Sequence, residues 1–443
     1  LISAVDAMRT LGLTGEGAMV ELRGILAAAP HRLSGSAGAA AAVDYVHKRM
    51  AELGFSNVRL EPTMVPSWSR GKPETLTVTA GEAGQVMAHD GFRLAAIGGS
   101  VATGDGGLRA EVVLVGSLDE IAERSAEVKG RVVFLDPPVP LGLLESFGVY
   151  SALAKARVHG ASEAARHGAV GLLTRSITTR RDDNPHTGML AYKADVPKIP
   201  AAALGYQSAD RLRKLLASGS RVQAHMQLHC SQGPDVESFN VTGEITGWEK
   251  PNEVIVIGAH LDSWDLGPGA HDDAAGCAQS IEALKLIAAS GVKPRRTIRA
   301  VLYMNEEFGG TGGIDYARSA ARMSERHLLA VESDRGGFTP RGFSMNAPPE
   351  VVEQWNRYVP ILKGAGIDWF VKGGSGVDVR HLEEIGALCM GFVPDSQRYM
   401  DLHHSANDVV EEVHPRELEL GAVAMAGLAL IASELEFNAV ESK

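Results

Sequence analysis

Five stretches of the chain end in side chains able to hold a metal ion or move a proton. The apolar run EVIVIG closes on Ala259-His260-Leu261-Asp262, TIRAVLYM closes on Asn305-Glu306-Glu307, and HLLAVES closes on Asp334. GPGAHDDAAG carries Asp272 and Asp273 into a helix, and DLHHSANDVV brings His403 and His404 just ahead of the last helix. In open α/β sheets the carboxyl ends of the strands are where ligands bind. Successive strands therefore deliver imidazole and carboxylate to one crevice.

The set contains imidazoles and carboxylates but no thiolate, which suits Zn²⁺, with Co²⁺ or Mn²⁺ as substitutes, and not Fe–S or copper. Three or four nitrogen and oxygen ligands with a water position left open make a catalytic site, not a structural one. Five ligands exceed what one zinc takes. Two ions about 3.5–4 Å apart, sharing a carboxylate and a hydroxide, account for the number.

Neighbouring residues at a strand end point in different directions. One of Glu306 and Glu307 can thus bind metal while the other faces the water as general base. Asp262 lies on the same side of the chain as His260 and is expected to hold the imidazole and raise its basicity. An Asp-Asp pair opening a helix is ordinarily an N-cap with favourable dipole placement, and that role stays open for Asp273.

The elements that position these groups follow from the hydrophobic pattern. At 443 residues the chain exceeds one ordinary core, so more than one domain is expected. The first hundred residues read as two helices followed by strands, the second helix lying within Gly35–Phe55. A compact α/β segment with its own strands follows and reads as an insertion. Helix–strand alternation then resumes, with near-continuous apolar strands such as VIVIGA and IRAVLYM. The expected fold is α/β, a mixed and largely parallel sheet covered by helices on both faces, with an inserted smaller α/β domain. The boundaries expected are 1–106, 107–232 and 233–443.

A formal net charge of −11 argues against a nucleic-acid partner. Cys230, Cys277 and Cys389 are scattered, which excludes a thiolate zinc site and a disulfide scaffold; they read as buried free thiols. The apolar run from Leu420 to Leu435 is short for a membrane span and is expected to be a buried helix. A chain beginning at Leu1 is expected to be trimmed or processed, and it shows no signal peptide.

NVTGEITG, GAHLDSWDLGPGAHDDAAG, MNEEFGGTGG, ESDRGG and HHSANDV together resemble the M28 family of zinc exopeptidases. The SWD after the first histidine and the doubled histidine look most like its carboxypeptidase Q branch. The segment from 107 to 232 resembles the protease-associated domain often inserted in this family. The resemblance implies one metal on His260, Asp272 and Asp334, and a second on Asp272, Glu307 and His404, with Asp272 bridging. Glu306 would take the proton of the bridging water and return it to the leaving amine. His404 is preferred to His403 because the family pattern is His-Ser/Thr followed by an acid, here Ser405 and Asp408. Many members carry a tyrosine at the position of His403, so the oxyanion role of that tyrosine passes to an imidazole or is filled elsewhere.

The activity implied is hydrolysis of terminal peptide bonds in dipeptides or short peptides, with the shared metal hydroxide as nucleophile. An aminopeptidase acting on longer peptides is the alternative within enzymes, and a catalytically silent receptor or scaffold the alternative outside them. The resemblance also implies a secreted or periplasmic protein, and a homodimer.

Overall fold

The computed structural model describes residues 1–81 and 87–436. Two compact units are present: Leu1–Val65 with Asp235–Ser396 and Asp408–Lys443, and Pro66–Pro234 with Gln397–Asn407.

The first unit is built on an eight-stranded sheet. Its strands are β1 (Ser56–Val65), β2 (Val236–Ile245), β3 (Lys250–His260), β4 (Arg296–Tyr303), β5 (Arg326–Glu332), β6 (Pro340–Met345), β7 (Trp369–Lys372) and β8 (Leu388–Pro394). They lie in the order β1-β2-β4-β3-β5-β8-β6-β7. The middle strands β4, β3, β5 and β8 run parallel, and antiparallel pairs flank them, so the sheet is mixed with a parallel centre.

Alternation along β3 explains why both faces are dry. Ile255, Ile257 and Ala259 face the helices Gly17–Ala28, Ala275–Ala289 and Pro415–Glu434, while Val254 and Val256 face Tyr316 and Val379 on the other side. Every residue of β4 is buried. A strand covered on both faces is nearly continuously apolar; β4 departs from this at Arg299, which is bonded to Glu244 and Glu325, and the histidine and acids stand at the carboxyl ends of the strands.

The amino-terminal region holds three helices where two were expected. The chain breaks between Ile2–Gly15 and Gly17–Ala28 because Glu16 adopts a left-handed conformation (φ 49°) between two glycines. The third, Ala37–Glu52, is capped by the Ser36 hydroxyl and followed by Gly54 at φ 77°. The run from Leu420 lies in Pro415–Glu434, nearly all of it buried, and among the described residues no helix is long and apolar enough to cross a membrane. All three cysteines are buried.

The second unit carries its own eight-stranded sheet. Parallel strands Leu108–Val115, Val132–Leu135, Gly171–Arg175 and Ala201–Leu204 form its centre. Thr75–Ala80, Met87–His89, Leu94–Ala96 and Val222–Gln227 complete it. Because three of these strands precede residue 107, the unit starts at Pro66 instead. It also takes in Gln397–Asn407, the segment with the paired histidines.

Candidate metal centre

The first unit gathers His260, Asp272 and Asp334, whose candidate ligand atoms all lie within 4.8 Å of one another. His260 is the last residue of β3 and is buried. Its Nδ1 lies 3.0 Å from the backbone carbonyl of Asp262. A carbonyl only accepts, so Nδ1 carries a hydrogen, and Nε2 is the nitrogen turned toward the acids. That Nε2 stands 3.3 Å from Oδ1 of Asp272 and 3.3 Å from Oδ1 of Asp334. A ring nitrogen and two carboxylates this close in a buried place need positive charge between them, a proton or a metal ion. The donors are nitrogen and oxygen and lie close together, which fits a divalent cation of the zinc class.

The charge balance points the same way. Burial works against a charged His260, but Asp334, Asp262 and Asp272 outweigh it and raise its pKa well above the usual imidazole value. Burial, then Asp334, push Glu306 well above the usual carboxylate range, with His260 opposing. Crowded acids in a dry pocket bind a proton or a cation.

Asp272 and Asp273 precede the helix Ala275–Ala289 in non-helical backbone, joined by a cis peptide. Asp273 accepts from Gly276 N at 3.0 Å through one oxygen and from His260 N at 3.1 Å through the other. It is therefore a cap that ties the helix start to the end of β3. Gly276 is required there, since a Cβ would stand 2.2 Å from the Ser333 carbonyl.

The Asp262 carboxylate lies 3.7 Å from His260 Nδ1, farther than its own carbonyl. Its main partners lie elsewhere. Oδ1 accepts from Asn305 N (2.8 Å) and Glu306 N (3.1 Å), and Oδ2 from Glu307 N (3.3 Å) and the Ser34 hydroxyl (2.8 Å). The carboxylate expected to steady the imidazole thus shapes the turn that presents Glu306 and Glu307. Asn305 opens that turn with φ 75°. Among the described residues, Glu307 adds no oxygen to the mutually close group of His260, Asp272 and Asp334.

The roles of several supporting groups escaped the sequence reading. Asp408 accepts from His271 N at 2.7 Å and Asp272 N at 3.0 Å, holding the loop that carries Asp272. Arg32 is fully buried and donates to the carbonyls of Leu261 (2.8 Å), Pro268 (2.7 Å) and Gly269 (3.0 Å). Asn240 accepts from Met304 N and donates to the Gly312 carbonyl, both at 2.9 Å, bracing the chain on either side of the Glu306–Glu307 turn. Asp408 and Asn240 lie in the HHSANDV and NVTG motifs and were visible there; Arg32 gave no signal.

In the second unit, His403 and His404 follow the short helix Tyr399–Leu402. Their rings stack at 3.4 Å. His404 is left-handed (φ 61°); its Nδ1 lies 3.3 Å from the Thr187 carbonyl, and its own carbonyl accepts from Thr187 N at 3.0 Å. Nδ1 is again the hydrogen-bearing nitrogen, leaving Nε2 as the ligand atom. The His403 carbonyl is 2.7 Å from Nδ1 of His186, a histidine that burial brings down to about 4 and so keeps neutral. His186 lies between the strands Gly171–Arg175 and Ala201–Leu204.

Comparison with known proteins agrees with these features. The family model described as Peptidase family M28 matches residues 240–428. Carboxypeptidase Q of Bos taurus is 32% identical over 405 residues, 91% of this chain and 83% of that protein. A peptidase M28 precursor from Shewanella amazonensis SB2B superposes with a TM-score of 0.93 at 30% identity, covering 100% of this chain and 99% of that one. A zinc aminopeptidase from Bacillus subtilis, at 18% identity and TM-score 0.64, shares the fold over 93% of this chain and 94% of its own. The chain belongs to peptidase family M28 and is a metallopeptidase.

Proposed function

We propose that the protein is a dinuclear zinc exopeptidase hydrolysing terminal peptide bonds of dipeptides or short peptides. The observation that carries this is the setting of His260, whose Nδ1 is held by the Asp262 carbonyl while Nε2 faces Asp272 and Asp334. His260, Asp272 and Asp334 would hold one zinc; Asp272, Glu307 and His404 the other. The Glu307 and His404 assignments rest on their motifs, and for His404 also on its hydrogen-bearing Nδ1. Zinc is the metal named for the B. subtilis aminopeptidase of the same fold.

When bound, zinc polarises the scissile carbonyl and lowers the pKa of water. The chain's own residues then do the rest. Glu306, on a turn fixed by Asp262, takes the proton of the attacking water and delivers it to the leaving amine. Asp408 and Asp273 keep the Asp272 loop and the end of β3 in place during the cycle.

The segment from 107 to 232 is proposed as a protease-associated, non-catalytic part, and export is proposed by likeness to the family. The test is hydrolysis of an unblocked dipeptide, an amino-acid anilide and an N-blocked dipeptide by zinc-loaded and chelated protein. Cleavage of a terminal bond that chelator abolishes and zinc restores is expected. Zinc-loaded protein inert to all three would overturn the proposal and favour a silent scaffold.

A further inference from the structure

β1 stands at one end of the first unit's sheet and, among the described residues, pairs with β2 alone. An edge strand of this length is a template for another chain unless it is blunted. Leu60, Pro62 and Met64 alternate along it and stay exposed, Leu60 by 37% and Met64 by 52%. Pro62 takes one backbone donor from the strand, which is tolerated at an edge.

A cleft of about 410 Å³ lies between this strand and the helix Thr311–Arg322, lined by residues of the first unit only. Its walls are tied together. The Thr63 hydroxyl donates to Oδ2 of Asp315 at 2.8 Å, and the Thr311 hydroxyl to the Met64 carbonyl at 3.0 Å. The charge in it is lopsided: Glu61, Glu237 and Asp315 line it against one cation, Arg318, which lies 3.4 Å from Oδ1 of Asp315. Among the described residues no ion pair engages Glu61 or Glu237, and Oε2 of Glu61 is buried without a hydrogen-bond partner. Burial raises the Glu61 carboxyl above its ordinary value, with Arg299 and then Arg59 opposing. A cation entering the cleft relieves that cost.

We propose that the outer edge of β1 docks an extended segment of another protein that carries lysine or arginine. Charge complementarity names the occupant: two unpaired acids between exposed apolar side chains on an open edge match a chain that alternates apolar and basic residues. Its apolar side chains lie on Leu60, Pro62 and Met64, and a basic side chain enters the cleft beside Glu61 and Glu237. With a donor missing at Pro62, the side chains and not the backbone ladder select the partner. None of the metal-site residues lines the cleft, so docking needs no zinc.

The test is binding of a short peptide of alternating valine and lysine, blocked at both ends, to the full chain, followed by fluorescence anisotropy. The blocked ends keep it from being an exopeptidase substrate. Zinc-loaded and chelated protein are expected to bind it equally, to ignore the same peptide with glutamate for lysine, and to bind less tightly as salt rises. Glu237 is exposed, so its replacement leaves the fold intact. Glu237→Lys is expected to weaken binding about 10-fold, as one attraction becomes a repulsion, and Glu237→Gln less, with hydrolysis of a short peptide unchanged in both. Overturning results are no binding of the lysine peptide, equal binding of the glutamate peptide, undiminished affinity in Glu237→Lys, or binding that requires zinc. A wild-type dimer in sedimentation that Met64→Arg dissociates would give the edge to a second copy of the chain and also overturn the proposal.

Discussion

His260 bonds to the carbonyl of Asp262 through Nδ1, 3.0 Å away, while the carboxylate of the same residue turns to the backbone of Asn305, Glu306 and Glu307. One residue thus holds His260 and fixes the turn of Glu306, the metal ligand and the base of the proposed reaction. Asp262→Asn keeps the main-chain carbonyl but presents an amide to N–H groups that need an acceptor. Activity should fall about 10–100-fold, with zinc bound by His260 largely retained. Steady-state kinetics beside metal analysis will check this; zinc lost in step with activity would show that the imidazole was the main dependent.

Glu306→Gln removes the proton acceptor and preserves shape. Hydrolysis should drop by about 10²–10⁴-fold with zinc content intact. Near-normal turnover in a metal-replete variant would assign the base elsewhere.

Arg32 satisfies carbonyls at both ends of the loop between His260 and Asp272. Arg32→Met leaves those acceptors buried and unpaired. We expect a loss of about 3 kcal/mol in unfolding free energy, together with weaker zinc retention. Denaturant melts of metal-loaded and metal-free protein measure both.

These supporting groups mark the limit of what was legible from sequence. The strands leading to His260, Glu306 and Asp334 were readable because they are nearly continuously apolar and the acids and imidazole stand at their carboxyl ends. Arg32 acts through backbone carbonyls more than two hundred positions away, and a contact of that kind leaves no periodic trace. Asp262 was read as holding His260, yet the direction of its carboxylate depends on a turn whose shape no local pattern specifies. The break at Glu16 was hidden by continuous helical periodicity, and the second unit's early start at Pro66 by strands that join its sheet through much later ones.

Glu419 offers a test away from the metal. It accepts from Ala18 N and Met19 N at the start of Gly17–Ala28. Burial first, then Glu282, push its carboxyl up to about 7, against those N–H groups and Lys285. The folded state therefore keeps a proton that the unfolded chain has released. Stability should be full below about pH 4.5, fall as pH rises toward 7, and level off above. Relative to wild type, Glu419→Gln should gain roughly 1–3 kcal/mol on going from pH 4.5 to pH 8. A difference independent of pH, from urea melts at both values, would contradict this.

The most direct test of the metal centre is zinc back-titration of chelated protein, following bound metal and hydrolysis of a short peptide together. Two zinc ions per chain, with activity returning as they bind and both lost in His260→Ala, is the predicted result. Full hydrolysis by metal-free protein, or a His260→Ala variant that still binds two ions and turns over normally, would contradict it.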